Sequence, residues 1–570
     1  MRSQNPLRFL LLILALAILT YCFALDSRFA PKNGDEYVYM HIARITADLG
    51  QWLPLQSEME AMRNTKPPLV FWQGIASTDW ATQWGLWELR WPSVVYTGLT
   101  AFFLFLAVAR FSGNAQTGLI AAVVWLSFFA TYRYGRPYLT DPPEVFFLSL
   151  PFFALLYWGR SAFDSRILFP LLAAISIGLG LLYKSFAYVL PACFALLLWY
   201  GCWREWRLID VLKRDLYKLI LIGLLSLGIF GLWFALDPNP EAIWREFVLG
   251  ENAGKFGART SNYFLDLIRG GDSIWLLLLT TIGNAGLFAF VLVSLGWQSW
   301  RERAVTDMEE RLLWLLVLAF LIFFSLPSQR SGRYLLPVMP ALAALIALHW
   351  HRLPLWGFRI ALALQFVILA ALAWASLNLE GGNWARPLRW QYSLWHWLLL
   401  GSGIALVASG FIKPSMAKLA ALATCFLCYL ALNTGLAPLE GEIGRYDAQA
   451  VARVQDKLVA VPCDFRAKDE EYRLLLPGAR LQGYPASEAA NGIELAKRYR
   501  YFASYAPQGM PPVFCDDCQV LGKRMEMRAR HSQEEIVAII RGEMGQYLFV
   551  NEYLIYSPSA VVSALPDACR

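Results

Sequence analysis

Residues 7–25 read LRFLLLILALAILTYCFAL, and residues 34–36, a short step further on, read GDE. The first run has 19 residues and one charge, Arg8. At ~1.5 Å rise per residue, a helix of that length crosses a hydrocarbon core of ~30 Å. Arg2 and Arg8 stand at its start, and a cleaved signal peptide has a shorter apolar core of about 7–15 residues. The run therefore reads as a retained signal anchor with its N-terminus in the cytoplasm. That reading places Asp35 and Glu36 just outside the membrane on the far side.

Further apolar runs follow at about 91–109, 115–132, 142–158, 167–183, 185–200, 217–236, 273–297, 312–327, 334–350, 355–378, 394–412 and 416–436. With the first they predict an α-helical polytopic membrane protein of about 13 spans. Composition agrees: 57% of the 570 residues are hydrophobic and 16% are charged, against about 45–50% and about 25% in a soluble domain. This excludes an ordinary soluble enzyme, a disordered chain and a coiled coil. The 24 Trp suit interfacial belts. The net charge of +7 is read as cytoplasmic loop charge, not as a nucleic-acid surface. An odd span count puts the C-terminus outside. Arg110, Arg160, Arg166, residues 204–218 and 301–311, Arg352, Arg359, Lys413 and Lys418 then fall inside, as the positive-inside bias requires.

The expected domains are a membrane domain, residues 1–436, and an outside α/β domain, residues 437–570. The membrane domain carries two long outside loops with interfacial helices, 26–90 and 237–272. In the first loop, Tyr37–Leu49 reads as an amphipathic helix along the interface. In the outside domain Tyr446–Leu458 has helical spacing, and Ser532 with Glu535 makes a capping box. Tyr547–Val550 and Tyr553–Tyr556 read as strands flanking a short turn. Cys463, Cys515, Cys518 and Cys569 lie in this part, where an oxidising compartment allows disulfides. Cys515–Cys518 alternatively reads as half a zinc site.

Charges in the tight outside turns are the functional signal. Each has a bland explanation alone. Asp35-Glu36 suits a solvated helix start, Lys66-Pro67 a snorkelling cation, and Asp141-Pro142 a helix cap. Arg330, Arg333 and Tyr334 suit a lipid-headgroup clamp, while Arg133 and Arg136 crowd the turn ahead of Asp141. Lys184 lies between two apolar runs, where a cation is costly without a nearby anion or interface. Together they place acids, cations and tyrosines on one membrane face. A site for a lipid-linked phosphate needs that set: an acid as base, and Lys and Arg to neutralise the leaving phosphate.

On these motifs the chain resembles the ArnT-like branch of the GT-C glycosyltransferases, relatives of the protein O-mannosyltransferases. The motifs are Asp35-Glu36, Lys66-Pro67, Asp141-Pro142, Lys184, Glu251 to Phe256, and Arg333-Tyr334-Leu335-Leu336-Pro337 with Pro340. The resemblance implies a transferase in the bacterial inner membrane, its site facing the periplasm, that moves a sugar from undecaprenyl phosphate with inversion. The acceptor would be lipid A, another envelope glycan or a protein. The resemblance implies Asp35, Glu36 and Asp141 as the catalytic acids. It implies Lys66, Lys184, Arg333 and Tyr334 around the donor phosphate, with Tyr39 and Glu251 near the substrate; Arg133, Arg136 and Arg330, cations of the same turns, are expected to contact substrate as well. Val38 and Thr65 stand where the family often has Arg and Glu. Where the aminoarabinose enzymes carry Glu-His, a plausible metal-ligand pair, this chain has Glu251-Asn252, so a divalent metal is disfavoured and no other cofactor is expected.

Four other readings compete. A mannosyltransferase-like enzyme acting on periplasmic proteins shares the motifs. A lipid phosphotransferase wants a nucleophile and metal ligands, yet the chain has five His. A lipid or sugar transporter binds near the midplane between repeats, and no repeat is visible. A scaffold leaves the cations in the outside turns unexplained.

Overall fold

The computed structural model describes residues 6–29, 33–59, 62–207, 209, 211–252, 267–268, 273–302, 307–327, 330–381, 390–507, 514–528 and 530–560. Phe256 and Cys569 lie outside them. Each apolar run of the sequence is helical. Among the described residues six helices are long and apolar enough to cross a membrane singly: Leu86–Ser112, Phe186–Trp203, Val211–Leu236, Leu355–Gly381, Leu394–Ile412 and Pro414–Glu440. Two bent pairs raise the number to eight, Ala115–Ser127 with Phe129–Gly135 at 66° and Ile274–Asn284 with Gly286–Glu302 at 104°. Leu7–Cys22, Leu168–Tyr183 and Gly332–Leu348 are shorter, while Asp141–Trp158 and Met308–Ser325 have 18 residues each. The protein is a multi-pass membrane protein; among the described residues six to eight helices or bent pairs are long and apolar enough to cross, against the expected figure of about thirteen spans.

The first long loop carries two helices. Asn33 accepts a hydrogen bond from the Asp35 N–H and starts the Gly34–Asp48 helix, with Asp35 and Glu36 in its first turn, where the helix dipole favours acids. The expected amphipathic character is not found. Eleven of the 15 residues are buried, because the C-terminal domain covers the face that would otherwise be wet. The Leu69–Ser77 helix packs against this one.

The C-terminal part is a five-stranded mixed sheet in the order β2-β1-β3-β5-β4. Its strands are β1 (Leu458–Cys463), β2 (Arg480–Pro485), β3 (Tyr501–Pro507), β4 (Gln519–Met527) and β5 (Phe549–Tyr556). β1 is parallel to β2 and β3, while β5 is antiparallel to β3 and β4. The capping box at Ser532 and Glu535 is present. Two expectations need correction. The 446–458 stretch is helical only over Ala448–Arg453, and Leu458 opens β1. The turn expected between Val550 and Tyr553 does not exist. Asn551-Glu552 looks like a turn in sequence, yet Glu552 is fully buried in β5, 2.6 Å from both Arg524 Nε and the Tyr472 hydroxyl. Burial pushes its carboxyl up, and Arg524 with the tyrosines holds it below the ordinary range. Cys515 and Cys518 form a disulfide, and Cys463 is disulfide-bonded too.

Candidate active site

Three helix junctions bring the predicted charges together. Ser331 caps the Gly332–Val338 turn and sets Arg333 at its start. Lys184 closes the Leu168–Tyr183 helix, and Asp141 opens the next apolar helix back in the chain, Asp141–Trp158. Arg333 faces Asp141 with Nε at 3.2 Å from both carboxylate oxygens and Nη2 at 2.6 Å, while its Nη1 donates to Asp35. Lys184 Nζ lies 2.8 Å from Asp141 and 2.9 Å from Glu144. It also sits 4.0 Å from the Tyr188 ring centre. Lys66 Nζ is 2.5 Å from Glu251.

These groups border a cavity of about 370 Å³, with Asp35, Tyr39, Lys66, Lys184, Glu251, Arg333 and Tyr334 in its wall. Access separates the acids. The Asp35 side chain is 48% exposed, against 2% for Asp141 and 2% for Glu36. Of these three acids, Asp35 is therefore the one open to the cavity. Asp141 lies behind the wall and holds two cations at once. Burial, and then the neighbouring Asp35 charge, push the Tyr39 phenol well above its usual range. Arg333 stays charged because Asp141 and Asp35 outweigh the cost of its burial.

Other sequence candidates stand apart from the cavity. Glu36 accepts from Arg90 at 2.6 and 2.7 Å and from the Tyr138 N–H, an internal tie between the first loop and a span. Arg136 is buried and donates to the carbonyls of Tyr21, Phe23 and Ala24 and to the Tyr132 hydroxyl. Arg133 is exposed, stacked near Phe129 and Tyr134. Arg330 donates to the Ser325 carbonyl. Sharing a turn with the site in sequence did not aim these side chains into it. Sequence reasoning missed Arg90, Tyr188 and the Phe465-Arg466 pair. Arg90 was legible: a cation entering a span demands an acid, as was argued for Lys184.

The residues do not fit a metal at Glu251-Asn252. The Asn252 amide already accepts from Ser185 at 2.6 Å and donates to the Phe247 carbonyl, and Glu251 is paired with Lys66. Among the described residues two more clusters have metal-like spacing. In one, Cys515 and Cys518 are joined as a disulfide. In the other, His41 uses one ring nitrogen on Glu470 and the other on the Glu58 N–H.

A second, apolar hollow of about 630 Å³ is lined by Trp52, Leu53, Leu69, Trp72, Tyr183 and Leu236, among others. Leu69 and Tyr183 belong to the same segments as Lys66 and Lys184.

A family model for dolichyl-phosphate-mannose-protein mannosyltransferase matches residues 8–244. Among curated proteins, the undecaprenyl phosphate-alpha-4-amino-4-deoxy-L-arabinose arabinosyl transferase of Pectobacterium carotovorum is 24% identical over 417 residues, 71% of this chain and 66% of that protein. A protein of the same description from Sodalis glossinidius is 28% identical over 342 residues, 58% of this chain and 56% of that one. The chain thus spans less than two thirds of the length of these relatives in the matched regions. The crystal structure of ArnT from Cupriavidus metallidurans bound to undecaprenyl phosphate has the same fold, with a TM-score of 0.62 at 16% identity over 97% of this chain and 99% of that one.

Proposed function

We propose that this ArnT-like chain, a multi-pass membrane protein with the GT-C type of fold, is a glycosyltransferase that moves a sugar from an undecaprenyl-phosphate donor to lipid A or another envelope glycan at the periplasmic face of the bacterial inner membrane. One observation carries the reading. Four segments distant in sequence place a reachable carboxylate, Asp35, among three cations, Lys66, Lys184 and Arg333, in one cavity, and two of those segments also line an apolar hollow through Leu69 and Tyr183. A polyprenyl donor has that shape: an anionic head that reacts and a hydrocarbon tail that stays in lipid.

Asp35 takes the proton as the acceptor oxygen attacks the anomeric carbon. The bond from that carbon to the phosphate oxygen breaks, and undecaprenyl phosphate leaves with the bonding pair. Attack opposite the leaving group inverts the anomeric centre. Lys66 and Lys184 meet the charge growing on the phosphate, which makes them worth more in the transition state than before it. Lys66 turns from Glu251, a carboxylate 27% exposed, to the phosphate. Arg333 acts on Asp35: with its guanidinium set on two carboxylates, it orients the base. Tyr39 and Tyr334 complete the wall.

The mannosyltransferase family match supports a second reading, a protein hydroxyl as acceptor. Mass spectrometry of lipid A and of envelope proteins, from cells with and without the gene, tests both. Loss of a sugar-sized increment from lipid A or an envelope glycan supports the first, and loss from peptides the second. Unchanged glycans and proteins overturn the transferase reading.

A further inference from the structure

One wall of the cavity comes from the C-terminal sheet domain. Phe465 and Arg466, in the segment that leaves β1, line it beside Asp35. The Arg466 side chain lies across the start of the helix that carries Asp35: a Cβ added at Gly34 would sit 3.0 Å from Arg466 Cδ and 3.4 Å from Nη1. The segment is held in shape. Asp464 Oδ1 accepts from the Arg466 N–H at 2.9 Å and the Lys468 N–H at 3.3 Å. A few residues on, Glu470 binds His41 at 2.9 Å and Arg44 at 2.6 Å, both on the Asp35 helix.

The charge of Arg466 is uncommitted. Lys66, Lys184 and Arg333 each hold a carboxylate. Among the described residues Arg466 makes no ion pair and has its own neighbour Phe465 within cation–π range. Phe465 is 71% exposed. A soluble domain gains nothing by holding a bare phenyl ring and a bare guanidinium at a cavity mouth, but a ligand with an anionic head on a hydrocarbon body meets both. A guanidinium fork matches two phosphate oxygens, which a point charge does not.

We infer that Arg466 and Phe465 form the acceptor subsite, in which the guanidinium holds a phosphate of an amphiphilic acceptor against Asp35 and the ring meets its hydrocarbon. The inference rests on the transferase reading and deepens it. It gives the C-terminal domain a part in the reaction and separates two phosphates, the donor's on Lys66 and Lys184 and the acceptor's on Arg466.

Binding is measured on the full chain in nanodiscs by native mass spectrometry, with bisphosphorylated lipid A, chemically dephosphorylated lipid A and undecaprenyl phosphate as probes. Arg466→Ala is expected to weaken bisphosphorylated lipid A by about tenfold or more, the scale of one charge-assisted phosphate contact. Arg466→Lys should fall between. The other two probes should stay within about twofold of wild type, so that the change is charge-specific. Unchanged affinity for bisphosphorylated lipid A overturns the subsite, as does an equal loss for the dephosphorylated form. A loss confined to undecaprenyl phosphate moves Arg466 to the donor and overturns it too. Because binding is read without turnover, failure of the transferase reading shows separately, as absent sugar transfer by the wild-type protein.

Discussion

Asp35 and Glu36 are adjacent in sequence and opposite in circumstance. Asp35 faces the cavity with half its side chain open, and Glu36 is sealed against Arg90. A general base contributes about 10²–10⁴-fold. Asp35→Asn should therefore lower transfer at least about a hundredfold while leaving the amount of protein in the membrane unchanged. Glu36→Gln should do the reverse: breaking a buried pair costs about 3–5 kcal/mol, and the loss should appear as reduced membrane levels. Immunoblots beside transfer assays separate the two, and a folded but inactive Glu36→Gln protein would shift the base to Glu36. Arg333 offers a second contrast. Lysine cannot reach Asp141 and Asp35 together as the guanidinium does. Arg333→Lys is expected to cut kcat by about tenfold or more with donor KM little changed, since it misplaces the base, whereas Lys66→Ala should raise donor KM. A rise in donor KM for Arg333→Lys would return that residue to the donor phosphate.

At the scale of elements, the Gly34–Asp48 helix depends on its contact with the Glu470–Leu475 helix. Glu470 is fully buried beneath Arg44, His41 and Arg473 at 2.6, 2.9 and 3.4 Å. Burial raises its carboxyl, but the Arg44 charge, the hydrogen bonds from His41 and Arg44, and the Arg473 charge prevail and hold it well below the ordinary carboxylate range. A depressed carboxylate stabilises above its unfolded value, ~4.3, and that contribution is lost as pH falls through the folded value. The neighbouring Asp469 has the opposite sign: burial and the Glu470 charge push it up to about 6, so its own contribution declines as pH rises from ~3.9 toward that value. The prediction is a melting temperature that drops on acidification below about pH 4 in the wild type. Glu470→Gln should melt lower at neutral pH, because Arg44 loses its buried counter-charge and keeps only the exposed Asp48 at 3.0 Å, and should respond less to acid. Equal acid sensitivity in both proteins would assign the transition to other carboxylates.

For the whole molecule the prediction is orientation. The sheet domain and its disulfides suit an oxidising compartment, and the loop charges of the sequence lead to the expectation that residues 437–570 face it. A phosphatase fused after Arg570 should be active, and one fused near Lys213 silent. The reverse pattern would place Asp35, Lys66 and Arg333 in the cytoplasm and remove the proposed donor and acceptor from reach.

What the sequence determined was the membrane class, the helical runs and most of the charged residues of the cavity. Hydrocarbon imposes those: a run must be long and apolar to cross, and a cation beside it must have a partner. The partners were another matter. Asp141 to Arg333, Glu36 to Arg90 and Glu470 to Arg44 join residues 192, 54 and 426 positions apart, and no local pattern encodes such pairs. The short helix 34–48 looked amphipathic because its polar residues were read as facing water, when they face another domain. Glu552 looked like a turn because a buried acid is unreadable until its arginine is found. Which acid is open to substrate, and that a loop of the sheet domain closes the cavity with Arg466, follow from side-chain direction and long-range packing, which only the tertiary structure decides.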